Sequence, residues 1–229
     1  YDEKAETITR KGLTEIKDMK DAIDYGMVVS EFNKKDLIAM GYQCPISVIP
    51  ILIPFKDYER QPDEDVISRY SDGKTNIVFV GRIVPNKKFE DVIACFTAYK
   101  EKYDPTARLF LVGNYQETDT YYQYLQEYIK KCGVKDVIFP GHIAFNAILA
   151  YYKIADLFLC MSEHEGFCVP LVEAMFFETP IVAYASTAIP GTLGGSGVLV
   201  ETKEPEMVAE TMNQVMQDTE YRSEILKKQ

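Results

Sequence analysis

The sequence predicts an α/β protein: a doubly wound, Rossmann-like parallel sheet preceded by an incomplete α/β segment. Three observations carry that class. Six short runs are apolar on both faces, as strands buried in a parallel sheet are. Helical patterns separate them, which is the βαβ order. Several runs end in glycine or serine, marking the carboxyl edge where open α/β sheets hold ligands.

The elements follow in order. Residues 5–24 read as an amphipathic helix, with Ile8, Leu13, Ile16, Met19 and Ile23 at spacings of three to five. "GMVVS" (26–30) is a short strand. Ser30 then caps a helix through Met40, which Gly41 ends. "ISVIPILIP" (46–54) is a strand broken at Pro50, whose missing N–H cannot serve a central ladder. These 54 residues are too few to bury a core of their own. They are expected to be the terminal part of an N-terminal Rossmann-like domain whose start is absent. Residues 55–75 turn polar and read as an interdomain linker, in which "PDEDV" (62–66) begins a short helix.

Residues 76–217 then form the regular domain. "NIVFVG" (76–81) precedes a helix at 88–103, "RLFLVG" (108–113) one at 119–132, and "DVIFPG" (136–141) one at 145–153. "DLFLCMS" (156–162) precedes a helix starting near Pro170, "PIVAY" (180–184) follows it, and "GVLV" (197–200) leads into a helix at 204–217. Residues 218–229 start a C-terminal helix.

Composition narrows the function. The 229 residues carry 25 Lys plus Arg against 35 Asp plus Glu, a net charge of −10. An acidic surface argues against nucleic acid, whose phosphates need a basic field. The five cysteines show no CxxC spacing, and three sit in apolar runs or helical patterns, so buried thiols in a reducing, cytoplasmic setting are expected. No apolar run approaches the ~20 residues that span a bilayer, and no signal peptide is evident.

Motif order excludes two nucleotide chemistries. The first strand of the main domain leads into "VGRIVPNKK", with one glycine rather than GxGxxG. The glycine-rich "GTLGGSG" (191–197) precedes a strand and lacks the Lys-Ser/Thr of a P-loop. What the first strand does offer is Arg82 and Lys87 just past its carboxyl end, a planar fork and a compact charge suited to a diphosphate. A second pole lies in "EGFCVPLVE" (165–173). Gly166 permits a tight turn, Pro170 suits a helix start, and the free N–H groups of that helix face the crevice. Glu165 and Glu173 frame the turn, and carboxylates accept paired hydrogen bonds from vicinal hydroxyls.

"GRIVPNK" (81–87) followed by "SEHEGFCVPLVEA" (162–174) resembles the retaining glycosyltransferases of family 4, which have the two-domain GT-B architecture. Both the lysine five residues after the motif arginine and the Glu-seven-residues-Glu spacing are matched. "LFLVG" (109–113), "VIFPGHI" (137–143), "LAYYKIADLFLCMS" (149–162) and "PIVAY" (180–184) fit as well. "VVSEFNKKDLIAMGY" and "VIPILI" resemble the end of the family's first domain, so the similarity covers nearly the whole chain.

The resemblance implies transfer of a sugar from a nucleotide-diphosphate donor with retention, as in polysaccharide or glycoconjugate synthesis, without metal or cofactor. Arg82, Lys87 and Glu165 would be the catalytic groups. Arg82 and Lys87 would neutralise the departing diphosphate, Glu165 would contact the transferred sugar, and Glu173 would hold the ribose. Gly81, Gly166, Leu171 and the backbone N–H groups of Phe167, Cys168 and Val169 would line the donor, with the base near His142 and Ile143. The acceptor, a saccharide, lipid or small molecule, would sit mostly on the absent domain, which leaves room for peripheral membrane association through that part. Alone, the chain would bind donor and transfer nothing. The alternative is a non-catalytic nucleotide-sugar-binding or scaffolding partner of a glycosylation complex.

Two departures from the family pattern stand out: Lys88 and Cys168 occupy positions where glycine is frequent. Three other features have plainer readings. His164 between two glutamates suggests a metal cluster, but neighbouring loop residues point apart. "DED" (63–65) has the DxD metal spacing but fits a helix start. Thr192 and the glycines at 194, 195 and 197 are within reach of a diphosphate, and a flexible loop explains them equally.

Overall fold

The computed structural model describes residues 3–229. The chain forms two compact units, Tyr1–Leu52 and Ile53–Gln229.

The first unit holds α1 (Glu3–Asp18), β1 (Gly26–Val28), α2 (Glu31–Ala39) and β2 (Ile46–Val48). β1 and β2 pair in parallel, Gly26 opposite Ile46 and Val28 opposite Val48. Ser30 caps α2 as expected, its Oγ accepting from the Asn33 N–H at 3.2 Å. The Tyr42 hydroxyl donates to the Ile16 carbonyl at 2.6 Å and ties the end of α2 to α1. Two expectations shrink. The first helix stops at Asp18, and the strand of 46–54 keeps only Ile46–Val48, since Pro50 removes the next ladder donor. Ile8, Leu13 and Ile16 on α1, and Met19 just after it, are exposed.

The second unit carries a six-stranded parallel sheet of β3 (Asn76–Val80), β4 (Arg108–Val112), β5 (Val137–Ile138), β6 (Leu157–Cys160), β7 (Ile181–Tyr184) and β8 (Val198–Val200). Its order is β5-β4-β3-β6-β7-β8. The chain therefore builds outward from β3 to one edge, returns to lay β6 beside β3, and builds to the other edge. In register, Ile77 lies opposite Leu109 on one side and Leu157 on the other. Each strand is followed by a helix: α4 (Phe89–Lys102), α5 (Thr120–Cys132), α6 (Phe145–Lys153), α7 (Val169–Phe176), α8 (Ile189–Leu193) and α9 (Pro205–Gln217).

Alternation along the strands sorts the core. Ile77 and Phe79 pack with Phe89, Phe96 and Met212, whereas Val78 and Phe110 pack with Tyr151 and Ile154. Burial on both faces is what the continuous apolar runs required.

The stretch 55–75, expected as a linker, is part of this unit. Its helix α3 (Glu64–Tyr70) contributes Val66, Ile67 and Tyr70 to the second cluster. Asp63 caps α3 by accepting from the N–H groups of Asp65 and Val66, so "DED" is a helix start. The last twelve residues hold a full helix, α10 (Thr219–Lys228), capped by Asp218 and anchored by buried Ile225. Among the described residues no helix is long and apolar enough to cross a membrane.

A polar clamp closes the amino ends of β3 and β4. The buried Asn76 side chain donates to the carbonyls of Tyr70 and Ile154, both at 3.1 Å. Its Oδ1 accepts from Arg108 Nε at 3.0 Å and Nη2 at 2.8 Å. The Arg108 guanidinium also grips Asp72 and lies 5.0 Å over the Tyr70 ring. Removing one member leaves buried donors and acceptors unpaired, at about 1–3 kcal/mol. Asn76→Ala should lower the melting temperature by several degrees in a thermal melt.

Candidate functional site

β3 and β6 are neighbours whose following helices leave in opposite directions, and that divergence opens a crevice at the carboxyl edge of the sheet. Two glycines allow the loops there to meet. The Gly81 N–H donates to the Val112 carbonyl at 2.9 Å. A Cβ on Gly113 would stand 1.8 Å from the Gly81 carbonyl oxygen, so only glycine lets the turn after β4 lie on the turn after β3. Beyond Gly81 a 3-10 turn, Pro85–Lys87, ends at Lys88 in the left-handed region, φ 52°, and α4 begins. That backbone explains why glycine is frequent where this chain has Lys88.

Lys87 reaches across the crevice. Its Nζ lies 2.6 Å from Glu165 Oε1, with both side chains largely buried at 19% and 7% exposure. The backbone of Glu165 is fixed from β7's side. Its N–H donates to Thr187 Oγ1 at 2.9 Å, and that hydroxyl donates back to the Glu165 carbonyl at 3.0 Å. Asn86 stitches the same two loops: its amide donates to the His164 carbonyl at 3.0 Å, and its carbonyl accepts from the Glu163 N–H at 2.9 Å. Arg82 is exposed at the mouth, with no side-chain partner among the described residues. Among the described residues the crevice thus brings together a restrained cation, Lys87, a cation without a side-chain partner, Arg82, and a buried carboxylate, Glu165.

The turn into α7 supplies the other wall. Cys168 caps α7 in the left-handed region, φ 72° and ψ 65°, again where glycine is frequent. Among the described residues no acceptor engages the N–H groups of Phe167, Cys168 and Val169. Three unpaired donors at a helix start favour an anion. The Thr192 hydroxyl donates to the Phe167 carbonyl, so it braces this turn, and the first three residues of the expected glycine-rich loop, 191–193, end the helix α8.

Glu173 sits on α7 with both oxygens engaged. Tyr58 donates to Oε1 and Tyr152 to Oε2, each at 2.6 Å. Burial first, and then the Glu173 carboxylate, push both phenols above their ordinary pKa, so they remain donors. Each carboxylate oxygen keeps a second lone pair, so a vicinal diol remains acceptable to it.

Other expected site residues fall differently. Leu171 is fully buried in the core and its N–H is spent on the Cys168 carbonyl at 3.1 Å, so neither group is available to a ligand. His142 is exposed, beyond the edge strand β5 and two strands from β3, while Ile143 packs against the Val78–Phe110 cluster. Gly166 lies between the Glu165 and α7 walls. Glu163 is turned outward to Lys203 at 3.0 Å and Lys88 at 3.5 Å; burial opposes these cations, which nevertheless hold its pKa below the ordinary carboxylate value.

Beneath Glu165, the buried Cys160 thiol donates to Ser162 Oγ at 3.5 Å. The neighbouring Cys168 thiol draws the Cys160 pKa down, while Cys160 and burial push that of Cys168 up. All five cysteines are free. Two concavities of about 460 and 360 Å³, one against α10 and one at the amino ends of β3 and β6, lie away from the crevice.

The residues that motif spacing overlooked are Tyr58, Asn86, Gly113, Tyr152 and Thr187. None carries a charge, and each acts through a contact distant in sequence. Gly113→Ala should destabilise the fold by roughly 1–3 kcal/mol by forcing the two turns apart. Gly191→Ala, with nothing near its added methyl, should melt like the parent chain.

Comparison with known proteins accords with this geometry. The chain is 34% identical over 111 residues to a mannosylfructose-phosphate synthase of Agrobacterium fabrum, covering 46% of this chain and 24% of that protein. It superposes on the sucrose-phosphate synthase of Thermosynechococcus elongatus with a TM-score of 0.82 at 20% identity, covering 96% of this chain and 55% of that one. It also superposes on Anabaena HepE in complex with UDP-glucose, with a TM-score of 0.79 at 20% identity, covering 93% and 61%. The chain therefore spans between a quarter and about three fifths of these relatives. Residues 61–229 match the family model "Glycosyl transferases group 1". With that match over most of its length and its GT-B type of fold, the chain belongs to the group 1 glycosyltransferase family.

Proposed function

We propose that the second unit binds the nucleotide-diphosphate sugar of a retaining glycosyltransferase, and that its own cations, rather than a metal, take up the leaving-group charge. The observation that carries this reading is the Lys87–Glu165 pair spanning the β3/β6 switch point, beside unpaired N–H groups at the start of α7.

The arrangement suits a donor in sequence. Arg82 and the N–H groups of Phe167, Cys168 and Val169 take the diphosphate. An ammonium has three donors, so Lys87 holds Glu165 with one and offers the others to phosphate. Charge develops on the β-phosphate as the glycosidic bond breaks, and fixed cations there lower the barrier without reorganising. Glu165 presents its second oxygen to a hydroxyl of the transferred sugar. Glu173, oriented by Tyr58 and Tyr152, accepts the ribose diol. The base is assigned to the loop of His142 and Ile143 by family resemblance.

UDP-glucose, found in the Anabaena complex, is the first donor to test. A relative named O-antigen chain mannosyltransferase B, of Escherichia coli, is the reason to test a nucleotide-diphosphate mannose second. A saturating donor at 100 times its Kd stabilises by about 2.7 kcal/mol, a shift of roughly 5–10 °C for a unit of this size. The reading is overturned if UDP-, GDP- and ADP-sugars all leave the melting temperature unmoved.

Losing one charged contact costs about 1.5–3 kcal/mol. Lys87→Ala and Arg82→Ala should therefore each weaken nucleoside-diphosphate binding tenfold or more by calorimetry. Tyr58→Phe should weaken binding of the nucleotide sugar less, because it removes one orienting hydroxyl and leaves the Glu173 charge in place.

A further inference from the structure

Cys168 has no part in the donor reading beyond its backbone N–H, and Cys160 has none. Both thiols are buried at the foot of the crevice, Cys160 ending β6 and Cys168 capping α7. One Sγ from each and a Glu165 carboxylate oxygen all lie within 4.8 Å of one another. We propose that Cys160, Cys168 and Glu165 form a binding site for one thiophilic divalent cation, best suited to zinc, whose occupancy withdraws Glu165 from the donor crevice.

The geometry needs little change. On a tetrahedral zinc with Zn–S about 2.3 Å and Zn–O about 2.0–2.2 Å, donor atoms stand roughly 3.5–3.8 Å apart. Atoms already within 4.8 Å reach those separations by contraction of an ångström or so. The three protein ligands leave the fourth position to a water. The donor set of two sulfurs and one carboxylate favours zinc over magnesium or calcium, which take oxygen ligands.

Charge also balances. In the metal-free chain Lys87 and Glu165 cancel, and the two thiols can be neutral. Binding releases the thiol protons to solvent. The dication then faces two thiolates and one carboxylate, a sum of −1, and the Lys87 ammonium restores neutrality. A buried site that is neutral both empty and filled avoids the cost of an isolated buried charge. Glu165 is the group both ligands would use, so the predicted antagonism rests on the donor-binding reading, whereas the metal site itself does not.

The test uses the full chain under a non-thiol reductant, with Co²⁺ as a spectroscopic stand-in and Zn²⁺ as competitor. The expected result is a thiolate-to-cobalt charge-transfer band that saturates at a single equivalent and that zinc abolishes. Cys168→Gly should lose the band and still fold, since glycine suits φ 72°. Cys160→Ala should lose it too. Absence of the band, or a band unchanged in both variants, overturns the site.

The antagonism is read separately, from the melting-temperature shift that a nucleotide sugar gives. A single equivalent of zinc should reduce that shift in the parent chain and leave it intact in Cys160→Ala. A shift unaffected by zinc in the parent overturns the antagonism. A chelator-treated chain with no nucleotide shift at all overturns instead the donor reading.

Discussion

Everything at the carboxyl edge depends on one ion pair. Lys87 and Glu165 belong to loops 78 residues apart, and their 2.6 Å contact spans β3 and β6, neighbouring strands whose connections diverge. An ion pair this buried gains nothing unless its desolvation is offset by good geometry and further hydrogen bonds. Here the backbone supplies them: Thr187 holds Glu165 from both its N–H and its carbonyl, and Asn86 joins the flanking residues. The pair is a preorganised feature of the sheet, ready before any ligand arrives, and that is what electrostatic stabilisation of a leaving group requires.

The loops can bring this pair together because of three backbone positions. Gly113 lets two turns touch where no side chain fits, while Lys88 and Cys168 accept left-handed backbone at the start of α4 and α7. A non-glycine residue in that region carries a steric cost of about 1–2 kcal/mol. At Lys88 the ion pairs to Glu90 and Glu163, both at 3.5 Å and partly solvated, offset little of it. At Cys168 the side chain is buried beside Cys160 and Glu165, which gives the substitution for glycine a chemical meaning that Lys88 lacks.

Glu173 shows a different economy. Its carboxylate is held by Tyr58, which precedes α3, and by Tyr152, at the end of α6. Tyr58 also stacks edge-on against Phe145 and Phe176. The stretch 55–75 is thereby part of the scaffold of the site and not a tether beside it. The Asn76–Arg108 clamp secures the amino ends of β3 and β4, while the Tyr58–Glu173 bond ties the stretch before α3 to α7.

The apolar runs, periodicities and motif spacings of the sequence by themselves determined the parallel sheet, most of its helices, and the identity of Lys87, Glu165 and Glu173 as the charged groups to watch. Such patterns are local, and local burial is what they record. Whether a charge is free, paired or turned away is set by partners far along the chain. Only the tertiary structure decided that Glu165 is pinned by Lys87, that Glu173 is gripped by two tyrosines, that Leu171 belongs to the core, and that Glu163 faces Lys203 outside the crevice. Only it, too, brought Cys160 and Cys168, eight residues apart, into one cluster with Glu165, because the αL turn at Cys168 folds the chain back over the end of β6.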